Sequence, residues 1–125
     1  MKLYQEQLMD HYRNPRHRTT LEAPDFTSAE HNPSCGDSVS FQGSVALGHI
    51  TALAFQGKGC VISQGASSML AAHCTKLLID DIAKLDKEFM LTLVGIPLGP
   101  TRLRCALLPL QALQQGIADY QNINS

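Results

Sequence analysis

At 125 residues the chain has the length of one domain spanning residues 1–125, enough to bury a hydrophobic core without disulfide staples. Ten Lys and Arg against eleven Asp and Glu give a formal charge of -1, which leaves no general electrostatic reason to bind nucleic acid or an anionic membrane surface. The opening residues Met1 to Gln7 are too polar for a secretory signal and no stretch approaches the ~18 apolar residues of a membrane span, so a cytoplasmic location is expected.

Tyr4, Leu8, His11 and Tyr12 recur at helical spacing, and Asn14-Pro15 then breaks the pattern, which predicts a short amphipathic N-terminal helix. From Arg16 to Pro33 the chain is polar and without period, and reads as a long connection. After Asp37 the period becomes two. Val39, Phe41, Val45 and Leu47 point one way and Ser38, Ser40 and Gln42 the other; a turn at Gly48-His49 leads into a second strand, Ile50 to Phe55, giving an antiparallel hairpin.

Beyond Gly57-Lys58-Gly59-Cys60, the residues Ile62, Ala66, Met69, Leu70, His73, Leu77 and Leu78 fall on one helical stripe running to about Ile79. A shorter helical piece follows through Ile82 and Leu85. The breaker-rich Gly95-Ile96-Pro97-Leu98-Gly99-Pro100 precedes a last stripe of Ala106, Leu107, Leu110, Leu113 and Ile117. Pro109 requires that this helix begin just before it, which places Cys105 at or near its N-terminus. The order of elements predicts an α+β fold in which a small antiparallel sheet packs against helices.

In a reducing compartment Cys35, Cys60, Cys74 and Cys105 read as thiols or metal ligands, with two disulfides in a secreted domain as the competing arrangement. Cys35, Cys60 and Cys105 each stand where an element starts, and a helix N-terminus favours the thiolate that binds metal or attacks sulfur. Asp37 follows Cys35 by two, so an extended segment would project both side chains from one face. Three thiolates and a carboxylate suit tetrahedral Zn²⁺, or an iron–sulfur cluster with one corner easily detached. Spacing alone does not define this set, and inert buried thiols compete with it. Cys74, mid-helix beside Leu70, Leu77 and Leu78, reads as a packed apolar thiol. His73 reads as a core-edge histidine, and Arg13, Arg16, His17 and Arg18 as either a solvated surface or a docking patch.

Asn32-Pro33-Ser34-Cys35-Gly36-Asp37 resembles the first ligand motif, N-P-[ST]-C-G-D, of the IscU/SufU/NifU N-terminal scaffold family. Leu3-Tyr4-Gln5-Glu6 with Asp10-His11-Tyr12-Arg13-Asn14-Pro15-Arg16 is similar to the family's opening helix, Gly57-Lys58-Gly59-Cys60-Val61-Ile62-Ser63 to its second ligand motif, and Arg102-Leu103-Arg104-Cys105-Ala106 to its third. Arg104 stands where the IscU branch has histidine, as in SufU-type proteins, whereas the short run from Cys60 to Cys105 lacks the usual SufU insertion and is closer to IscU. Leu98-Gly99-Pro100-Thr101-Arg102 departs from the L-P-P-V-K chaperone-binding segment of the IscU branch.

The resemblance implies metal ligation by Cys35, Asp37, Cys60 and Cys105, with the cysteines as cluster ligands, Cys105 as candidate persulfide acceptor and Arg104 as a possible assisting residue. It implies a pyridoxal-phosphate (PLP)-dependent cysteine desulfurase as sulfur donor, apo iron–sulfur client proteins or carriers as recipients, and a monomer or weak homodimer. Two functions are expected from it: a scaffold assembling a labile [2Fe–2S] cluster, or a zinc-dependent sulfurtransferase that accepts persulfide sulfur from a desulfurase and activates it. A thiol hydrolase would need a base that spacing does not identify.

Overall fold

In the computed structural model, which describes residues 2–34 and 36–124, apolar alternation builds the centre of the sheet. Strands β1 (Phe26–Asn32), β2 (Asp37–Ala46) and β3 (His49–Lys58) run antiparallel in the order β1-β2-β3. Val39 and Phe41 are buried while Ser38, Ser40 and Gln42 are half-buried, as period two requires. An irregularity in the register at Ser44/Val45 ends that alternation. The hairpin turn is Leu47-Gly48 rather than Gly48-His49, because Ala46 pairs with His49; both turn residues have positive φ (53° and 77°), and Leu47 is 98% exposed instead of facing the core.

β1 falls within the stretch read as a connection. Its pattern is weak because only Phe26 among its residues is buried, and the inward-facing Ser28 satisfies itself by donating to the Ala112 carbonyl at 2.5 Å. That hydroxyl ties the edge strand to the last helix, so Ser28→Ala is expected to cost about 1 kcal/mol in chemical denaturation without changing the m-value.

Five helices complete the chain: α1 (Lys2–Arg13), α2 (Val61–Cys74), α3 (Ile79–Ala83), α4 (Lys87–Val94) and α5 (Pro100–Ile123). α2 and α5 pack on the sheet and on each other, burying Leu70, Leu113 and Ile117 against Phe41 and Phe55 in one core cluster. Buried Leu8 of α1 joins that cluster; α1 is also tied to α2 through Ser68, whose Oγ lies 2.8 Å from His11 Nδ1 and accepts the Arg16 N–H at 2.8 Å. Of the basic cluster, Arg16 pairs with Asp10 at 2.6 Å and Arg18 donates to the Gly57 carbonyl at 3.4 Å, so these residues order the segment that follows α1.

The helices depart from the sequence reading at α2, α4 and α5. α2 stops at Cys74, not near Ile79, because Lys76 turns with φ 81° and residues 76–79 pair with the start of β3. The Ile50 N–H donates to the Leu77 carbonyl at 2.9 Å and the Lys76 N–H to the Ile50 carbonyl at 2.8 Å. α4 was not anticipated, although Asp86 caps the Phe89 N–H at 2.9 Å and Gly95 closes the helix with φ 75°. α5 begins at Pro100, so Pro109 lies inside it and removes the amide that would have bonded the Cys105 carbonyl. No helix among the described residues is long and apolar enough to cross a membrane.

Candidate metal and sulfur site

Asp37 opens β2 from the strand's inward face and is only 1% exposed. An ionised carboxylate so placed needs partners. Cys60 provides two: its N–H donates to Asp37 Oδ1 at 2.9 Å and its thiol donates to Oδ2 at 3.2 Å. The approach depends on Gly59, which has φ +133°; a Cβ there would lie 2.6 Å from the Asp37 Cγ and 2.9 Å from its Cα.

Cys60 is also the N-cap of α2, where its sulfur accepts the Ser63 N–H at 3.5 Å. Cys105 reaches the same place from α5. It is six positions along that helix rather than at its end, so the N-terminal dipole invoked from the sequence does not act on it. Burial, with the Asp37 carboxylate and the Cys60 thiol as neighbours, pushes the Cys105 thiol well above the usual range. The metal-free protein therefore holds that proton at neutral pH. Metal loading must displace it, and affinity falls as pH is lowered.

Ligand atoms of Asp37, Cys60 and Cys105 all lie within 4.8 Å of one another. Donors around tetrahedral zinc, with Zn–S bonds of about 2.3 Å, sit about 3.8 Å apart, so closure of the three requires only small side-chain rotations. Two thiols and a carboxylate, all able to lose their protons, fit Zn²⁺ and leave a fourth position for a further sulfur. Cys35 lies outside the described residues. Its neighbour Gly36 has φ +76°, so the extended backbone on which a shared Cys35 and Asp37 face was predicated is not present at that position.

An apolar cleft of about 660 Å³ opens on the two cysteines, lined by Leu8 and Met9 of α1, Ile62 of α2 and Ile96 ahead of α5. Arg102 lines it as well. Because Arg102 and Cys105 are three apart on α5 they share a helix face, whereas Arg104 is exposed and is absent from the cleft lining.

A family model described as NifU-like N terminal domain matches residues 3–125. The chain belongs to the NifU-like N-terminal domain family. It is 27% identical to the zinc-dependent sulfurtransferase SufU of Bacillus subtilis, covering 98% of this chain and 94% of that protein. It is 28% identical to the iron–sulfur cluster assembly scaffold protein IscU 1 of Archaeoglobus fulgidus, over 94% of this chain and 76% of that protein. A crystal structure of a putative SUF-system scaffold from Fervidobacterium islandicum shares the fold, with a TM-score of 0.80 at 21% identity over 90% of this chain and 94% of that one. The Bacillus alignment spans 139 positions although this chain has 125 residues, while the archaeal one takes 118 for 94% of the chain. The Bacillus protein thus carries inserted residues that this NifU-like domain lacks.

Among the sequence-derived site residues, Asp37, Cys60 and Cys105 meet, and Cys60, Cys74 and Cys105 are reduced thiols. Cys74 is fully buried in the core, and burial pushes its thiol up to about 12. Ellman's reagent is expected to leave Cys74 unlabelled in native protein at pH 8 and to label it only in denaturant, as mass mapping would show. His73 stays exposed, with its ring 4.9 Å from Phe89, and takes no part in the site. Sequence reading gave no role to Ser63 or Gln64, which stand beside Cys60 and are buried; two polar residues directly after Ile62 on a helix otherwise read as an apolar stripe were the available signal.

Proposed function

We propose that this NifU-like domain is an iron–sulfur cluster assembly scaffold that receives sulfur from a PLP-dependent cysteine desulfurase and builds a labile [2Fe–2S] cluster for transfer to apoproteins. The observation that carries the reading is the convergence of Asp37, Cys60 and Cys105 from three separate elements beside an open apolar cleft. Cys35 completes the ligand set. The cluster is cargo, and Asp37 suits its release, because an oxygen donor holds iron less firmly than the thiolates beside it.

Cys105 serves as the sulfur acceptor. Once deprotonated, its Sγ attacks the terminal sulfur of the donor persulfide; a new S–S bond forms, the donor's S–S bond breaks and the donor cysteine leaves as thiolate. Reduction of that terminal sulfur to sulfide takes two electrons from an external thiol or protein reductant. Arg104, exposed beside the acceptor, assists docking of the donor rather than the attacked atoms.

A second reading is a zinc-dependent sulfurtransferase, favoured by Arg104 next to Cys105 and by the similarity to the Bacillus protein. In it Cys35, Asp37, Cys60 and Cys105 would hold Zn²⁺, which would keep the site shut until a desulfurase engages it and frees Cys105 to take the persulfide. The missing insertion argues for the scaffold. Anaerobic purification with metal analysis, then reconstitution with iron, desulfurase and cysteine, separates the two. The scaffold gives the visible absorption of a [2Fe–2S] cluster that passes to an apo-ferredoxin. Stoichiometric zinc, strong desulfurase stimulation and no cluster would overturn it.

A further inference from the structure

Gln64 is the longest polar side chain buried in α2, at 7% exposure, and stands one turn after Cys60, whose carbonyl accepts its N–H at 3.2 Å. Burying a carboxamide costs about 1–3 kcal/mol unless its polar ends are paired. Oriented to satisfy both ends, it lies against the Gly57-Lys58 peptide: Nε2 donates to the Gly57 carbonyl and Oε1 accepts the Lys58 N–H, each at 3.2 Å. Gly57 makes the approach possible. A Cβ there would stand 3.1 Å from both polar atoms of Gln64 and 2.7 Å from the Ser38 carbonyl oxygen.

Only Gly59 separates this held peptide from Cys60, and Gly59 turns at φ +133°, where an added Cβ would collide with the Asp37 carboxylate. We propose that Gln64 is a positioning residue for the metal site: by pinning the end of β3 to the first turn of α2, it fixes the Gly59 turn and sets where the Cys60 thiolate stands relative to Asp37 and Cys105. Gln64 acts on the ligands through this backbone, and the first turn of α2 is braced further by Ser63, whose Oγ donates to the Cys60 carbonyl at 3.2 Å. The inference rests on the metal-binding reading above.

Gln64→Met, similar in length and apolar, is the test, with Co²⁺ as the probe. The variant is expected to bind Co²⁺ about 10-fold more weakly, the size of effect that loss of a ligand-orienting partner produces, and to show an altered d–d absorption envelope. In metal-free protein, Cys60 is expected to react with iodoacetamide several-fold faster than in wild type while Cys74 stays silent. Gly57→Ala, which displaces the carboxamide from the other side, reproduces both changes. Gln114→Ala is the control: its carboxamide also bonds main-chain carbonyls, those of Ile82 and Leu85 at 3.1 and 2.7 Å, away from the site, and its loss leaves both readouts unchanged. If Gln64→Met does not fold, Gln64→Asn is read in the same way. Unchanged affinity, spectrum and thiol rates would overturn the proposal, as would equal changes in Gln114→Ala. Should wild type bind no Co²⁺, the metal-binding reading fails, and the iodoacetamide rates alone decide the role of Gln64.

Discussion

Cys105→Ala and Cys60→Ser are each expected to weaken Zn²⁺ binding by at least about 100-fold, exceeding the ~10–100-fold cost of losing an outer hydrogen-bond partner, because each removes a donor atom outright. Serine at Cys60 keeps an oxygen able to cap the Ser63 N–H, so folding of that variant stays near wild type while binding is lost. Alanine at Cys60 removes the cap as well and costs about 1 kcal/mol of stability in addition. Comparing the two separates the ligand from the cap. Competition with a zinc-sensitive chelator dye, alongside urea unfolding of the metal-free proteins, gives both numbers. Affinities within about threefold of wild type, against the ~100-fold expected, would remove these cysteines from the site.

Gly59→Ala is the second large effect. A side chain at φ +133° is strained in itself, by about 1–3 kcal/mol, and here the new Cβ collides with the Asp37 carboxylate. The carboxylate must then move off the Cys60 N–H that it accepts at 2.9 Å, leaving buried polar atoms unpaired. About 3 kcal/mol or more is expected, seen as a fall in Tm of about 10 °C. Zinc affinity is expected to fall with it, since Asp37 is both the obstacle and a proposed ligand. A Gly59→Ala protein with wild-type Tm would mean that the β3–α2 turn does not have this backbone.

How far the sequence could lead depended on whether a residue's partners lay on its own element. Val39 and Phe41 announced β2 because burial on one sheet face writes itself as alternation. Phe26–Asn32 did not, because Ser28 and Glu30 face α5 with polar groups, and the pairing that makes them a strand comes from β2. Pro109 misled the reading of α5: one missing amide was taken to mark a helix start, yet Pro100 sits at the first turn and the buried helix continues through Pro109. That shift carried Cys105 from the end of the helix to its second turn, away from the activating amides, and burial there beside Asp37 and Cys60 pushes its thiol up.

For the site, the motifs around Cys60 and Cys105 pointed to those residues, and the Asn32 to Asp37 motif pointed to Asp37. Its burial was not legible. Nothing in Asp37-Ser38-Val39 reveals that the carboxylate accepts two hydrogen bonds from Cys60, which is distant in sequence and adjacent only because β2 and β3 pair Ser38 with Lys58. Arg104 was likewise singled out by its place in a motif, whereas the helical face puts Arg102 on the cleft.

X-ray absorption at the zinc edge of the fully loaded protein tests the donor set most directly. Three sulfurs at about 2.3 Å and one oxygen at about 2.0–2.2 Å are predicted, with one sulfur fewer in Cys105→Ala. A shell of four sulfurs, of nitrogen and oxygen only, or one unchanged in Cys105→Ala would contradict the site built from Asp37, Cys60 and Cys105.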